Sequence, residues 1–447
     1  MPLVDRARTT DAPGEETTEA DQQAPGRRLT PDRLFWLGIL AAVALGAAVR
    51  SVYLFNAAPE IVLGDGLAYQ ASGHRLADGL GYTAAIGDIG APNAHHPPGW
   101  TTVLGAVSRL GGRSVLAHQL TGVLIGLGVI LVAGLVGRRY AGRRVGVVAA
   151  FLAAVYPGFW VIDVQIMSEP LGLLVLGVLM LVLADLWDRP TVARAVLAGA
   201  VLGGLALVRG EELALLAVAV VPILLLNRRL DVERRLLRTC AAVLATAVVL
   251  APWTIHNLGR FEEPFVISTN GGSTLLAGNC PPRTYRGELI GSVDNRCTFE
   301  LTATHPGLDR SELDAEARGA ALGNMRDNLH RLPATVLARY GRLLGVFRPT
   351  QTVQHDAAWF GSATWPVWAW IASFWVLAPV AVAGGIVLQR SRRFHWPLVA
   401  PVVIVVAAVT VTFGDPRYHT MADLGAVVLA AVAVCALVRR LGVAESR

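Results

Sequence analysis

Apolar runs of about 20 residues recur along this chain of 447 residues, and they constrain its fold more than any other feature. A helix of that length crosses a hydrocarbon core about 30 Å thick. Lipid offers no partners to backbone polar groups, so a crossing segment satisfies them within its own helix. The runs lie near 34–55, 115–136, 145–162, 168–187, 192–208, 212–227, 239–255, 364–388, 397–413 and 420–438. The predicted fold class is all-α, a polytopic membrane protein with about ten transmembrane helices.

Composition supports this interpretation, because 53% of the residues are hydrophobic and only 16% are charged. The net charge of +6 comes from arginine, since the sequence contains no lysine. Basic chains often bind nucleic acid, but these arginines flank apolar runs, where they set orientation in a membrane. We therefore expect contact with a lipid bilayer and no nucleic-acid partner. Exclusive use of arginine, with abundant Ala, Val, Leu and Gly, is typical of a GC-rich bacterial genome.

The arginine clusters predict which side of the membrane each loop faces. Cytoplasmic loops carry an excess of positive residues, which assigns the clusters at 138–144, 227–238, 390–393 and 439–440 to the cytoplasm. Both termini then lie inside. Two long loops, 56–114 and 256–363, face the other side, as do three short ones. A multi-pass protein of the bacterial inner membrane, with its functional site on the extracytoplasmic side, is expected.

These features divide the chain into five predicted segments. Long loops in a compact fold usually carry function or structure of their own, so we expect the first loop to carry catalytic residues. The segments are a disordered cytoplasmic tail at 1–33, an N-terminal transmembrane module at 34–255 containing the first loop at 56–114, a large extracytoplasmic loop at 256–363, C-terminal transmembrane helices at 364–438 and a cytoplasmic tail at 439–447.

Two clusters in the first loop carry candidate residues. Asp65 and Tyr69 follow the first span, where a lipid-borne substrate would present its headgroup, although Asp65 could simply cap the helix that begins at Gly66. His95 and His96 precede a Pro-Pro-Gly turn. Adjacent histidines do not readily chelate one ion and no third ligand is evident, so no metal site is predicted there.

Ionisable residues at three other span ends are also candidates. Asp163 and Glu169 lie between the third and fourth spans, where charges are costly and tend to be functional; Glu169 could instead favour the helix dipole behind a Ser168 cap. Arg417 lies before the last span, on the side where positive residues are scarce. Its planar fork suits a phosphate, and the alternative is a salt bridge with Asp415 or Asp423.

The second long loop supplies the last candidates. Trp253 and Asn257 lead into a Gly-rich stretch, and glycines permit either close approach to a ligand or tight turns. Cys280 and Cys297 share this loop. A disulfide between them is plausible in an oxidising compartment, but their spacing alone does not show that the geometry permits one.

In this order, the signals resemble the GT-C superfamily of membrane glycosyltransferases. The similarity is closest to the branch containing protein O-mannosyltransferases and the aminoarabinose transferase of lipid A, which is glycosyltransferase family 39-like. The similarity covers about residues 34–438. It rests on five motifs in order: Asp65 with Tyr69, the Pro97-Pro98-Gly99 turn, Ser168-Glu169, Pro252-Trp253 with Asn257, and Arg417-Tyr418. Gly66 departs from the family, where a second acid commonly stands. His256 departs too, where arginine is common, and Arg260 is a candidate substitute.

The resemblance implies an inverting transfer of sugar from a polyprenyl-phosphate donor to a hydroxyl of a glycan, lipid or protein acceptor. Asp65 would be the general base, Glu169 would orient the acceptor or sugar, and Arg417 would stabilise the departing phosphate. The implied substrate-binding residues are Tyr69, His96, Asp163, His256, Asn257, Arg260, Arg417 and Tyr418. No cofactor is required by this mechanism, and a divalent metal ion is compatible with it.

Three other interpretations remain open at this stage. A pentosyl transferase acting on cell-wall glycan would use the same chemistry on another sugar. A transporter or flippase of lipid-linked sugars would be expected to show internal repeats and polar sites near the membrane midplane, whereas this sequence shows no repeat and its acids lie at span ends. A scaffold that binds a partner through its large loop leaves the outer charged residues unexplained.

Overall fold

The protein is described here by a computed structural model, which covers residues 30–445. Within this range the chain is all-helical and no strand is present, so the predicted all-α class is confirmed. The N-terminal helices are α1 (Pro31–Asn56), α2 (Gly64–Ala77), α3 (Pro98–Arg109), α4 (Val115–Ala141), α5 (Arg143–Val155), α6 (Pro157–Asp163), α7 (Glu169–Asp188), α8 (Val192–Ala206), α9 (Val221–Leu225) and α10 (Val232–Asn257). The remaining helices are α11 (Gly271–Gly278), α12 (Arg296–Thr304), α13 (Arg310–Asp327), α14 (Leu332–Leu343), α15 (Pro349–Phe360), α16 (Thr364–Arg390), α17 (Trp396–Val411) and α18 (Thr420–Glu445).

Six helices of the described chain are long and apolar enough to cross a membrane, which makes this a multi-pass membrane protein. They are α1, α4, α7, α10, α16 and α18 with the turn before it. The pair α5 and α6 adds a seventh span if it is counted as one crossing, although it bends by 53°. Pro157 lies in the first turn of α6 and cannot continue the preceding helix, because it lacks an N–H donor.

The predicted number of ten spans is not confirmed. Helices α8 and α17 are apolar but contain only 15 and 16 residues. The span expected near 212–227 is interrupted: a 3-10 turn at Gly210–Ala214 and a π-helix at Leu216–Val220 precede the short α9. Pro222, in the first turn of α9, removes a backbone donor where a continuous helix would need it.

The first span begins at local start signals just before the apolar run near 34–55. Thr30 caps α1 by accepting a hydrogen bond from the backbone N–H of Arg33, and Pro31 opens the helix. Asp32 in the first turn forms ion pairs with Arg138 and Arg143 near the junction of α4 and α5. The predicted disordered tail lies mostly at 1–29, outside the described residues. The other predicted segment boundaries stay predictions.

Both long loops contain helices of their own, separate from the spans. The first holds α2 and α3, which pack against each other. The second holds α11 to α15, and a disulfide joins Cys280, just after α11, to Cys297 in α12. A capping box formed by Asp309 and Glu312 begins α13. The large loop is therefore structured by local caps and one cross-link.

A buried ion pair lies inside the N-terminal module. Arg50 of α1 donates from Nε to the carboxylate of Asp163 at 2.6 Å, and both side chains are inaccessible to solvent. Gly122 and Gly126 of α4 make room for Asp163, since a Cβ added at either glycine would lie 2.0 Å from its atoms. Small residues let membrane helices approach closely. Here they admit a charged pair between α1, α4 and α6.

Replacing Asp163 by asparagine should destabilise the protein, because Arg50 would keep a buried charge without its counterion. Breaking such a pair from one side costs roughly 3–5 kcal/mol. Thermal unfolding of the purified protein in detergent measures the effect. Asp78→Asn is the matched control, because its ion pair with Arg113, at 2.7 Å, is exposed and worth about 0–1 kcal/mol. Equal losses in both variants would contradict a special role for the buried pair.

Candidate active site

Asp65 and Arg417 meet although 352 positions separate them in the chain. Asp65 lies in the first turn of α2, and Arg417 lies in a 3-10 turn, Pro416–His419, that leads into α18. Both terminal nitrogens of Arg417 donate to the same oxygen, Oδ2 of Asp65, at 3.1 Å. The two residues that the sequence suggested as base and phosphate ligand therefore share one site.

The backbone around Asp65 explains why its carboxylate is free to make this contact. The helix cap is Leu63, which offers no side-chain hydrogen bond, so Asp65 does not serve as the cap. Gly64 has a positive φ of 56°, which favours glycine. A Cβ on Gly66 would lie 2.5 Å from the carbonyl oxygen of Gln165. The absence of side chains at 64 and 66 lets the start of α2 press against neighbouring segments and projects Asp65 inward.

Arg417 also contacts a second carboxylate. Its Nε lies 3.1 Å from Oε1 of Glu169, which opens α7 and is fully buried. Arg417 thus bridges two acids that come from different parts of the chain. The alternative salt bridges do not form: Asp423 binds His419 and Tyr156, and Asp415 accepts a hydrogen bond from the backbone N–H of Arg417.

Glu169 keeps capacity for further hydrogen bonds. Nη1 of Arg209 lies 2.9 Å from its Oε1, but neither arginine is aligned as a hydrogen-bond donor to it. Among the described residues, Oε2 has no partner at all. Ser168, expected as a helix cap, accepts a bond from Arg209 at 3.3 Å and makes no cap hydrogen bond. A buried acid with an unused oxygen suits the binding of hydroxyl donors.

Arg209 is a site residue that our sequence analysis did not single out. Besides Glu169, it contacts Oε1 of Glu211 through Nη2 at 2.5 Å. Its Nε is buried and has no hydrogen-bond partner among the residues described. The signal was present, because Arg209 lies in one of the short loops predicted to face the same side as Arg417. The same reasoning that selected Arg417 applies to it.

His96 and Tyr69 form the wall next to Asp65. Their rings stack with centroids 4.4 Å apart, and Nε2 of His96 lies 3.9 Å from Oδ1 of Asp65. Trp100 fixes this wall by donating to the carbonyl of Ile166 at 2.9 Å while fully buried. Beside it lies a cavity of about 190 Å³, lined in part by Tyr69, Ser72, Tyr82, Asn93, His95, His96 and Arg310.

The charges around Asp65 keep it ionised. Burial by itself opposes ionisation, but the positive charge of Arg417 and the hydrogen bonds that it donates lower the pKa of Asp65 below its usual value. Burial has the opposite sign for the imidazoles and lowers the pKa of His95, to about 3, and that of His96. At neutral pH the site therefore presents a carboxylate beside uncharged imidazoles.

Several candidates lie away from this centre. Asp163 pairs with Arg50, as described above. Arg260 contacts His256 at 2.6 Å and donates to the carbonyl of Tyr82, a residue that lines the cavity, at 3.0 Å. Asn257 donates to the carbonyl of Trp253 within α10. Tyr418 packs against a small apolar cluster that includes Leu343 and Val409.

A possible metal-ligand group lies close to the site, although the sequence predicted none. The ligand atoms of His355, Asp356 and Asp415 all lie within 4.8 Å of one another. His355 and Asp356 are neighbours in α15, whereas Asp415 comes from the turn that carries Arg417. Only the folded chain brings the third ligand to the other two.

Comparison with known proteins supports the predicted resemblance. The family model described as dolichyl-phosphate-mannose-protein mannosyltransferase matches residues 95–256, which is less than half of the chain. That match and the fold confirm the similarity to GT-C membrane glycosyltransferases. No curated protein matches the sequence significantly.

Solved structures share the fold at low sequence identity. The archaeal oligosaccharyltransferase AglB from Archaeoglobus fulgidus, in complex with an inhibitory peptide and a dolichol-phosphate, is 13% identical with a TM-score of 0.54, covering 93% of this chain and 51% of that chain. The Archaeoglobus fulgidus oligosaccharyltransferase in complex with Zn and sulfate is 14% identical with a TM-score of 0.51, and the match covers 90% of this chain and 49% of that chain. ArnT from Cupriavidus metallidurans bound to undecaprenyl phosphate is 18% identical with a TM-score of 0.41, and the match covers 89% of this chain and 77% of that chain. The chain spans about half the length of the archaeal enzymes.

Proposed function

We propose that this protein is an inverting membrane glycosyltransferase that moves a sugar from a polyprenyl-phosphate donor to an acceptor hydroxyl. One observation carries the proposal: an ionised carboxylate, Asp65, and two arginines, Arg209 and Arg417, meet in one site at the ends of apolar helices. A carboxylate can accept a proton, guanidinium groups can hold a phosphate, and the apolar helices can accommodate a lipid tail.

The two arginines would bind the donor phosphate. Arginine presents a rigid planar fork that matches phosphate oxygens, and Nε of Arg209 is buried without a partner. The archaeal AglB structure contains a dolichol-phosphate, which supports a lipid phosphate as the ligand of this fold. As the sugar departs, negative charge develops on the phosphate, and positioned positive groups stabilise that charge.

Asp65 would act as the general base. It takes the proton from the acceptor hydroxyl while the oxygen attacks the anomeric carbon from the face opposite the phosphate. The new carbon–oxygen bond forms as the bond to the phosphate oxygen breaks, and the leaving polyprenyl phosphate keeps the electron pair. The anomeric configuration inverts. A positioned base contributes about 10²–10⁴-fold to such a step.

The observed ion pair couples donor binding to the basicity of Asp65. In the described structure Arg417 stabilises the Asp65 carboxylate through two contacts of 3.1 Å. A donor phosphate competes for the same guanidinium. When Arg417 turns toward the phosphate, Asp65 loses its strongest opposing charge and its pKa rises, which makes it a better base. The base is then activated only when a donor is present.

Glu169 and the His96 wall would position the two substrates. Among the described residues, Oε2 of Glu169 is a buried acceptor without a partner, so it can receive a hydrogen bond from a sugar hydroxyl. The acceptor hydroxyl would approach Asp65 past His96, from the cavity of about 190 Å³ that His96 lines. A glycan, a lipid or a protein side chain could supply that hydroxyl.

We propose that Arg417 supplies the positive charge between the two acids of the centre. Asp65 and Glu169 could together hold a divalent ion, and the archaeal enzyme has been solved in complex with Zn and sulfate. In this chain a guanidinium lies 3.1 Å from both carboxylates. Before the donor binds, this guanidinium occupies the place between the two acids that a cation would take.

Replacing Asp65 by asparagine should reduce sugar transfer about 10²–10⁴-fold, the contribution of a positioned base. Asparagine keeps the shape but cannot accept the proton. Membranes containing the variant, a radiolabelled polyprenyl-phosphate sugar and an endogenous acceptor provide the assay, with Asp78→Asn as a control of equal chemistry outside the site. Normal turnover by Asp65→Asn would remove this residue from the mechanism.

Replacing Arg417 by glutamine should weaken the binding of polyprenyl phosphate and shift the acidic limb of the kcat/KM profile to higher pH. Arg417 lowers the pKa of Asp65, whereas burial raises it; removing the arginine leaves burial to dominate. The limb reports the pKa of the essential base in the free enzyme. Arg113→Gln, in an exposed ion pair, should leave both quantities unchanged. An acidic limb that stays in place or moves to lower pH would count against the coupling.

The site is proposed to face the extracytoplasmic side of a bacterial inner membrane. A cysteine at position 305 in the large loop should then react with a membrane-impermeant maleimide in intact cells, whereas one at 232 should not. Both native residues are exposed in the structure, so accessibility to the protein surface is matched. Labelling of both positions after permeabilisation is the control. The reverse pattern in intact cells would place the site inside.

A further inference from the structure

The group formed by His355, Asp356 and Asp415 differs from the carboxylates of the proposed base site. His355 and Asp356 come from the last helix of the large loop, and Asp415 comes from the turn before α18. Oδ1 of Asp415 accepts a hydrogen bond from the backbone N–H of Arg417 at 2.8 Å, which ties the group to the site. Among the described residues, no hydrogen bond is made to its second oxygen.

Asp356 is the residue of this group whose surroundings most favour the binding of a cation. It is only 4% exposed, and its sole hydrogen-bond partner among the described residues is His355, at 3.3 Å. Within that part of the chain, no arginine lies at ion-pair distance from it. A buried carboxylate facing another is costly unless a cation compensates it.

We propose that His355, Asp356 and Asp415 bind one divalent transition-metal ion, Zn²⁺ or Mn²⁺. One imidazole nitrogen and two carboxylate oxygens form a mixed ligand set suited to these ions, whereas Mg²⁺ prefers oxygen ligands throughout. The ligand atoms lie within 4.8 Å of one another, and binding would draw each of them to about 2.0–2.2 Å from the ion. Remaining positions would hold water or a phosphate oxygen.

The ion would link two sides of the proposed active site. On one side, Asp415 fixes the backbone of Arg417. On the other, the ring of His355 is parallel to that of Trp359, with centroids 6.4 Å apart. Trp359 covers Gly64, where an added Cβ would lie 2.5 Å from its indole nitrogen. Binding would therefore join α15 to the turn carrying Arg417, close to the start of the helix that carries Asp65.

Metal binding can be measured without any sugar transfer, so this proposal stands or fails separately from the proposed function. The full-length protein, purified in detergent with a histidine-free tag and stripped with a chelator, would be titrated with Zn²⁺ by calorimetry and with Mn²⁺ by electron paramagnetic resonance. We expect one ion per chain for at least one of the two metals.

Asp356→Asn and Asp415→Asn should each weaken binding at least ten-fold, since losing even an outer-shell partner of a metal costs about 10–100-fold. Asp327→Asn and His330→Gln, which alter exposed residues of the same loop, are the matched controls and should bind as the unaltered protein does. Thermal unfolding of each variant without metal identifies any that fail to fold. His355→Gln provides a third test if one aspartate variant is unstable.

Asp65→Asn separates this group from the carboxylates of the base site. It should retain the ion, because Asp65 is not among the three ligands. Loss of binding in Asp65→Asn with retention in Asp356→Asn would place the metal at the base site and overturn the proposal. Failure of the unaltered protein to bind either metal stoichiometrically would overturn it as well.

Discussion

The contact of Arg417 with two carboxylates is the interaction on which the organisation of the site depends. Asp65 comes from the first loop, Glu169 from the start of α7, and Arg417 from the turn before α18. A single guanidinium holds these three parts of the chain together at one end of the apolar helices. Because the contact is electrostatic and partly buried, it is stronger than an exposed ion pair, and a competing anion can still reorganise it.

The charges of the site are arranged so that each acid has a defined partner. Arg209 contacts Glu169 and Glu211, while Arg417 contacts Asp65 and Glu169. The acids keep the two arginines in place. A phosphate would enter a preorganised pair of guanidinium groups, which reduces the cost of ordering long side chains at the moment of binding. The small residues around Asp65 also help to preorganise the site, since they bring its helix close to the segment that leads to Glu169.

Where the structure does not confirm the sequence interpretation, or adds to it, the physical causes are identifiable. The count of ten spans, which was based on apolar residues, is not confirmed, because α8 and α17 are short and the segment around Pro222 is interrupted. Arg209 was not predicted as a site residue because its short loop contains no recognisable motif. The group around Asp356 was invisible because its third ligand, Asp415, lies far along the chain. Asp163 was expected among the substrate ligands, yet its carboxylate is committed to Arg50.

The sequence by itself determined the helical class, the long apolar spans and the residue types at their outer ends, because hydropathy and charge act over a few neighbouring residues and are readable in order. The helix start at Thr30 was determined in the same local way. Only the tertiary structure decided which charged groups meet. Asp65 had two locally equivalent roles, helix cap or active-site acid, and Arg417 had two candidate acids, Asp415 and Asp423. The choice follows from packing between helices that are remote in the chain, where glycines set the approach and burial makes each unpaired charge costly.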